Sequence, residues 1–562
     1  MNHFTFTILF GLLCLLSVRA QSQEYTYADS WDQQGFILQK NQPDGVEINF
    51  SISRFTLEDV VINGEAMKNI NLPGNFLFND AGCPNLPGNG KIIALPQGST
   101  PILEVVATRT EVINNIDIAP APRIPKDDES GPLEYWKEER VYSQDAPYPA
   151  EPVKVSSLMK IRGLDAVMLG ITPFQYNPVS RQLTIYRDLK VRIRFQGGNG
   201  HFGDDRLRSR WWDPILEDAI FNYPALPKIN YDLRYQKANT EDDGAEYLII
   251  TPDGASFVQY ADSIKKFRTE QGILTLVKTL TQVGGNTTTA IESYINNAYS
   301  TWTIPPAAIL LLGDYGTDIN STVISPIYNS YCASDNIYGD YDGDQLPDIV
   351  MARITANNQS QLQVMVSKFL NYERNPPTSA SFYNHPITAL GWQTERWFQI
   401  CSETVGGFWK NALGKDPVRI NAVYSGTPGS SWSTATNTST VVSYFGASGL
   451  GYIPDNPSTL GGWTGGTATG VNNAINAGAF MLQHRDHGGE TGWGEPSYSS
   501  SNIDGLTNTD LTYVMSINCL TGKYNYSSEV FAEKFHRYTY NGQNSGALGI
   551  MAATEVSYSF VN

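Results

Sequence analysis

Two places in the 562-residue chain end an apolar run in a chemically capable side chain. One reads Phe480-Met-Leu-Gln-His484-Arg-Asp-His487-Gly488-Gly489-Glu490, the other Tyr513-Val-Met-Ser-Ile-Asn518-Cys519-Leu520-Thr521-Gly522. Cysteine chemistry needs a thiolate and a proton donor for the leaving amine, and a nearby imidazole supplies both. The glycines after His487 let backbone approach a substrate carbonyl, with the N–H groups of Gly488 and Cys519 available to an oxyanion. The pairing points to a cysteine nucleophile served by histidine. The bland alternative is that Cys519 is a small buried hydrophobe and His487 a satisfied polar residue. A metallo-hydrolase HxHxDH signature is a second alternative, and it fails at its first histidine, where Leu482 stands.

Such residues meet only if the strands carrying them lie side by side. In an open α/β sheet the carboxyl ends of the strands form the ligand crevice, and the chain after residue 246 has that pattern. Short apolar runs at 247–251, 273–277, 307–312, 349–354, 386–392, 479–484, 513–518 and 546–553 alternate with helical spacings such as Phe257, Tyr260, Ala261, Ile264 and Phe267. The Gly/Ser/Thr-rich stretch from 424 to 470 reads as long surface loops. Before residue 230 the signals are short alternating runs, for example Leu183, Ile185, Leu189, Val191, Ile193 and Phe195, broken by Gly, Pro and Asn. That half is β-rich, and it carries a proline-rich break, Ala-Pro-Ala-Pro-Arg-Ile-Pro-Lys-Asp-Asp-Glu-Ser-Gly-Pro at 119–132. A polar linker, Arg234 to Glu246, divides the halves. The expected architecture is therefore an α/β domain with a mostly parallel sheet, preceded by an all-β, sandwich-like domain.

Composition narrows the function. With 39 basic and 56 acidic residues the formal charge is −17, which repels phosphate backbones and speaks against nucleic acid as a partner. Residues 4–18 are almost wholly apolar but too short to span a bilayer, and Val18-Arg19-Ala20 ends them in a small-residue cleavage pattern. A signal peptide over 1–20 and a secreted or surface-exposed mature chain without a transmembrane segment follow. Cys83, Cys332, Cys401 and Cys519 remain after it, at spacings that make no disulfide framework. Asp340, Asp342 and Asp344, on a loop containing Gly343, offer hard oxygen ligands suited to a structural calcium; the spacing is not an EF-hand, and a solvated acidic turn is the alternative. No cofactor is expected for catalysis.

The segment His487-Gly-Gly-Glu490-Thr491-Gly492-Trp493, followed 32 residues after its histidine by Asn518-Cys519, resembles the gingipain-type cysteine peptidases, in which a His-Gly-x-Glu-Thr-x-Trp segment precedes a strand-terminal cysteine. The resemblance extends from Tyr247-Leu-Ile-Ile-Thr through Leu312-Gly313-Asp314 to Ser528-Glu529-Val530-Phe531. More weakly, Pro173-Phe174-Gln-Tyr176-Asn177-Pro178 and the strands after it resemble the family's inhibitory pro-domain. The resemblance implies a caspase-like catalytic domain over 238–562, in subdomains of about 238–380 and 381–562, continuing past Asn562, and a pro-domain over 21–237 that inhibits it. It implies a secreted endopeptidase zymogen acting on proteins or peptides, with Glu395 orienting His487 and Glu403 in an acidic substrate pocket. It implies self-processing at Arg234 or Lys237 if the basic specificity of the best-known members is shared. The rival reading is a non-catalytic surface or adhesion protein on the same scaffold, with Cys519 a buried remnant.

Overall fold

The computed structural model describes residues 22–75, 79–129, 131–232, 244–429 and 431–560. The expected signal segment and the residues Arg234 and Lys237 lie outside the described residues. The N-terminal half is built from antiparallel strands in three sheets. One long strand, Gln182–Gly197, pairs along its length with the equally long Ser99–Asn114 on one side and with Phe174–Asn177 and Gly45–Ser51 on the other. Period-two alternation does this: Leu183, Ile185, Leu189, Val191 and Ile193 are all buried, joining Ile48, Phe50, Phe55 and Phe174 in one core.

The C-terminal half holds β1 (Tyr247–Thr251), α1 (Ala255–Glu270), β2 (Thr275–Thr279), α2 (Thr288–Thr301), β3 (Ala308–Leu312), β4 (Val350–Ile354), α3 (Gln359–Arg374), β5 (Ile387–Gln393), α4 (Phe398–Asn411), β6 (Val418–Ser425), α5 (Thr438–Phe445), α6 (Ala468–Asn476), β7 (Met481–Arg485), β8 (Thr512–Ile517), α7 (Phe531–Arg537) and β9 (Ala547–Ala552). These form two parallel sheets, in the orders β2-β1-β3-β4 and β6-β5-β7-β8-β9. Strands covered on both faces read as unbroken apolar runs, and every residue of β5 is buried. On α1, Phe257, Ala261, Ile264 and Phe267 form the apolar stripe that covers the first sheet. The two sheets are fastened by Lys368 of α3. Its fully buried ammonium donates to the carbonyls of His536, Ser545 and Ala547 at 2.7, 2.6 and 3.1 Å, and burial pulls its pKa down to about 7.

The stretch from 424 to 470 is not wholly loop, as its composition suggested. It contains α5, whose Val441, Val442 and Phe445 pack with Trp392, Trp432 and Trp463. Helical spacing of three apolar residues outweighs the low propensity of the surrounding Gly, Ser and Thr. Among the described residues no helix is long and apolar enough to cross a membrane.

The two halves meet over a wide surface. Arg162, almost wholly buried, donates to the carbonyls of Leu207, Pro306 and Asp348 at 2.7, 2.8 and 2.9 Å, while its N–H donates to Asp348 Oδ1 at 2.6 Å. Trp212 Nε1 donates to the Ala307 carbonyl at 3.0 Å. On the far side, Asn85 Nδ2 donates to Asn437 Oδ1 at 2.8 Å and Ser439 Oγ to Glu58 Oε2 at 2.7 Å.

Trp392 ends the apolar part of β5, fully buried edge-on to Trp463 with centroids 4.9 Å apart. Trp392→Ala is expected to cost about 3–5 kcal/mol through cavity formation, read as a lower urea midpoint. An unchanged midpoint would show that this cluster does not hold the sheet.

Candidate active site

β7 and β8 are adjacent and parallel, with Arg485 opposite Ile517 at the last paired position. His487 and Cys519 each stand two residues beyond that pair, so the register sets both at one end of one sheet, on strands about 4.8 Å apart. Gly488 sits directly against the turn of Cys519: a Cβ there would lie 2.8 Å from the Cys519 carbonyl oxygen and from the Asn518 amide. Only glycine permits that approach, which brings its backbone beside the thiol's own.

His487 Nε2 donates to Gln393 Oε1 at 2.7 Å, and Gln393 Nε2 donates to Glu395 Oε1 at 3.0 Å. Glu395 therefore does not touch the imidazole; Gln393, the last residue of β5, stands between them. Sequence reasoning passed over Gln393 because the resemblance drew attention to the carboxylate. The ring is clasped by Phe398, edge-on at 5.2 Å between centroids, and Tyr424 at 4.3 Å. Burial pushes its pKa down to about 4, against the opposing pull of Asp127, so the imidazole is neutral. With Nε2 carrying the hydrogen, Nδ1 is the free base.

Cys519 is 2% exposed, and its Sγ accepts from the Ser557 N–H at 3.4 Å. Burial pushes the thiol up to about 11, with Asp127 and Asp128 adding to the rise. Behind it, Asn518 Nδ2 donates to Ser516 Oγ at 2.9 Å and to Nδ1 of His484 at 2.8 Å. The His484 ring lies flat on Trp493, 4.1 Å between centroids, and its Nε2 donates to the Glu495 carbonyl at 3.1 Å. Both nitrogens of His484 are thus committed, which disposes of the metal reading. Asp486, buried beneath Gly391 and Gly494, accepts from the Glu495 N–H at 2.6 Å, and desolvation raises its pKa to about 8.

The proline-rich break at 119–132 is paired with the C-terminal half. Pro125 to Asp127 lie extended and antiparallel to Ser557 to Ser559: Asp127 N–H donates to the Ser557 carbonyl at 2.9 Å, Ser559 N–H to the Pro125 carbonyl at 3.0 Å, and Lys126 faces Tyr558. Asp127 is wholly buried, accepting from Arg485 Nη1 at 3.0 Å and from Ser559 Oγ at 2.6 Å. Arg396 Nη2 donates to the Glu129 carbonyl at 2.9 Å. A segment of the N-terminal half thus crosses the mouth of the His487 and Cys519 cleft.

Glu403 does not stand at this cleft. It is buried on α4, bonded to Arg419 at 2.7 and 2.8 Å and to Asn421 at 3.2 Å. Arg419 is the second residue of β6, at the opposite end of the parallel sheet from His487 and Cys519, so the expected acidic pocket is not built from this carboxylate. Asp340, Asp342 and Asp344 do converge, each offering an oxygen within 4.8 Å of the others. Asp340 already accepts from the Gly343 and Gln345 N–H groups, and Asp344 from those of Leu346 and Lys160. Burial and the neighbouring Asp344 and Asp340 raise the pKa of Asp342.

A cysteine and a histidine thus stand at neighbouring strand ends of one sheet, beside a segment from the N-terminal half of the same chain. The chain belongs to peptidase family C25: the family's model matches residues 240–562 and that of the C25 propeptide residues 26–223. The chain is 22% identical over 523 residues to Lys-gingipain of Porphyromonas gingivalis strain ATCC 33277, covering 91% of this chain and 27% of that protein. To gingipain R2 of the same strain it is 21% identical over 488 residues, covering 85% of this chain and 59% of that protein. It thus spans about a quarter of the length of the Lys-gingipains it matches. Among solved structures, the Arg-specific cysteine proteinase gingipain R shares 19% identity at a TM-score of 0.43, over 57% of this chain and 65% of that one. A complex of pro- and mature domains from P. gingivalis shares 19% at 0.31, over 34% and 97%.

With its pKa near 11, on the order of one Cys519 thiol in ten thousand is ionised at pH 7 in the intact chain. Because burial penalises the charged form, reactivity grows as pH rises toward that value. The peptide bearing Cys519 is therefore expected to resist iodoacetamide at pH 7, its labelling rate climbing until about pH 11 in mass spectra. Removing the N-terminal half should shift the climb to lower pH, since the covering segment and its two carboxylates go. An identical profile in both forms would refute the shielding.

Proposed function

We propose that this protein is a secreted cysteine endopeptidase made as a zymogen, with an inhibitory pro-domain over 21–237 and a catalytic domain from 238. The observation that carries the reading is the extended segment Pro125–Asp127, held backbone to backbone by the segment whose Ser557 N–H touches the Cys519 sulfur. A peptide laid along that second segment presents its carbonyl carbon to the thiol. His487 Nδ1 takes the thiol proton, the sulfur attacks, and the C–N bond breaks as the imidazolium returns the proton to the departing amine. Water then cleaves the thioester. The N–H groups of Gly488 and Cys519 receive the oxyanion. Gln393 fixes the ring's tautomer, and Glu395 fixes Gln393. The adhesion reading leaves the Gln393 clasp on His487 without a purpose. We also propose that Asp340, Asp342 and Asp344 hold a structural calcium, which relieves the repulsion felt by Asp342.

Cys519→Ala is expected to abolish amide hydrolysis with the fold kept, and His487→Ala to lower kcat by several orders of magnitude, because the two act as one unit. Gln393→Ala should cost more than Glu395→Gln, since only Gln393 touches the ring. Hydrolysis by Cys519→Ala would sink the assignment. For the calcium site, chelator should lower the melting temperature of the intact chain and added calcium restore it; a melting curve indifferent to both would leave a solvated turn.

A further inference from the structure

The peptidase reading says which bond is attacked, and the buried neighbours of the covering segment say which side chain is read. In an antiparallel pair, a residue whose N–H is bound by the Ser557 carbonyl turns its own carbonyl back toward the Ser557 N–H, the same N–H that contacts the Cys519 sulfur. In this chain it is Asp127. Its carboxylate is sealed from solvent in a pocket whose floor is Arg485, with Ser559 Oγ at the wall.

Arg485 is built in firmly. Its side chain is 2% exposed, its guanidinium lies 4.2 Å over the Phe398 ring, and Nη1 also donates to the Ile517 carbonyl at 3.2 Å. Among the described residues Asp127 is the one carboxylate in a salt bridge with it. When the segment leaves, the catalytic domain keeps a desolvated cation two residues before His487 that has lost its salt-bridge partner; the adjacent Asp486 acts on it only through space, its own carboxyl raised to about 8 by burial. An incoming aspartate or glutamate restores the pair, whereas an incoming lysine or arginine sets like charges together in a low-dielectric site.

Resting on the peptidase reading above, we propose that Arg485 is the specificity determinant of the substrate pocket, and that the enzyme cleaves on the carboxyl side of acidic residues. Asp127 is the substrate residue's mimic in the zymogen. Arg234 and Lys237 are then no longer sites of self-cleavage, and new ends made by the enzyme itself follow Asp or Glu.

The test uses the full chain, activated by limited proteolysis, on peptidyl coumarins that differ only in the residue before the dye. Asp or Glu is expected to give kcat/KM at least about 100-fold above Asn, Lys or Arg, and Arg485→Gln to erase that difference while Cys519 still alkylates. If Arg485→Gln fails to fold, Asp127→Asn serves instead: it should loosen the segment and speed Cys519 alkylation in the intact chain, and an unchanged rate counts against the pocket. Cys519-dependent cleavage after basic or neutral residues would overturn the pocket and leave the peptidase standing. No cleavage of any peptide would overturn the peptidase. In that case the pocket is judged by fluorescence polarisation on activated Cys519→Ala, where labelled Ile-Pro-Lys-Asp binding at least tenfold tighter than Ile-Pro-Lys-Asn upholds it and equal binding refutes it.

Discussion

Everything at the site depends on the register between two neighbouring strands. Because Arg485 pairs with Ile517 in a parallel ladder, residues two beyond that pair emerge together, and these are His487 and Cys519. A slip of one residue in either strand would send one of them to the other face of the sheet. The register is held from behind by groups outside the chemistry. Trp493 Nε1 donates to Ser516 Oγ at 2.8 Å, and Asn518 reaches across to His484. The conspicuous His484 is thus an internal tie, while the less conspicuous Gln393 and Arg485 face the cleft.

Much of this was legible because it is local. An apolar run ending in a reactive side chain marks a strand end, and the strands of the parallel sheets fall where the apolar runs stand, except β6, whose alternating Arg419 and Asn421 broke the run. The N-terminal strands, too, follow from alternation in segments such as 183–195. What escaped the sequence was carried by distant partners. The proline-rich break at 119–132 gave no sign of its role, because the cation that meets Asp127 lies 358 residues away. Glu403 looked available for a pocket because nothing local shows that Arg419 neutralises it. α5 was hidden by Gly, Ser and Thr, and its apolar positions gain their meaning from Trp392 and Trp463, which come from other segments.

The Asp127 and Arg485 pair also explains why the covering segment stays in place. Two charges out of water repay their desolvation only with good geometry and further hydrogen bonds. Both are supplied here: Ser559 Oγ and a backbone ladder for the carboxylate, the Ile517 carbonyl and the Phe398 face for the guanidinium. Withdrawing one member would cost about 3–5 kcal/mol, which makes the ion pair a latch. Asp127 and Asp128 of the same segment add to the burial that raises the Cys519 thiol.

The N-terminal half grips its partner in three separated places: at Arg162, at Asn85 and Glu58, and at Asp127. Severing the chain between the halves removes none of these contacts. It removes the covalent link that makes their association intramolecular. After the cut, the covered fraction obeys mass action between two separate molecules. Dilution then becomes the variable that uncovers the cleft, and a nicked but undiluted sample holds its two pieces together as one particle.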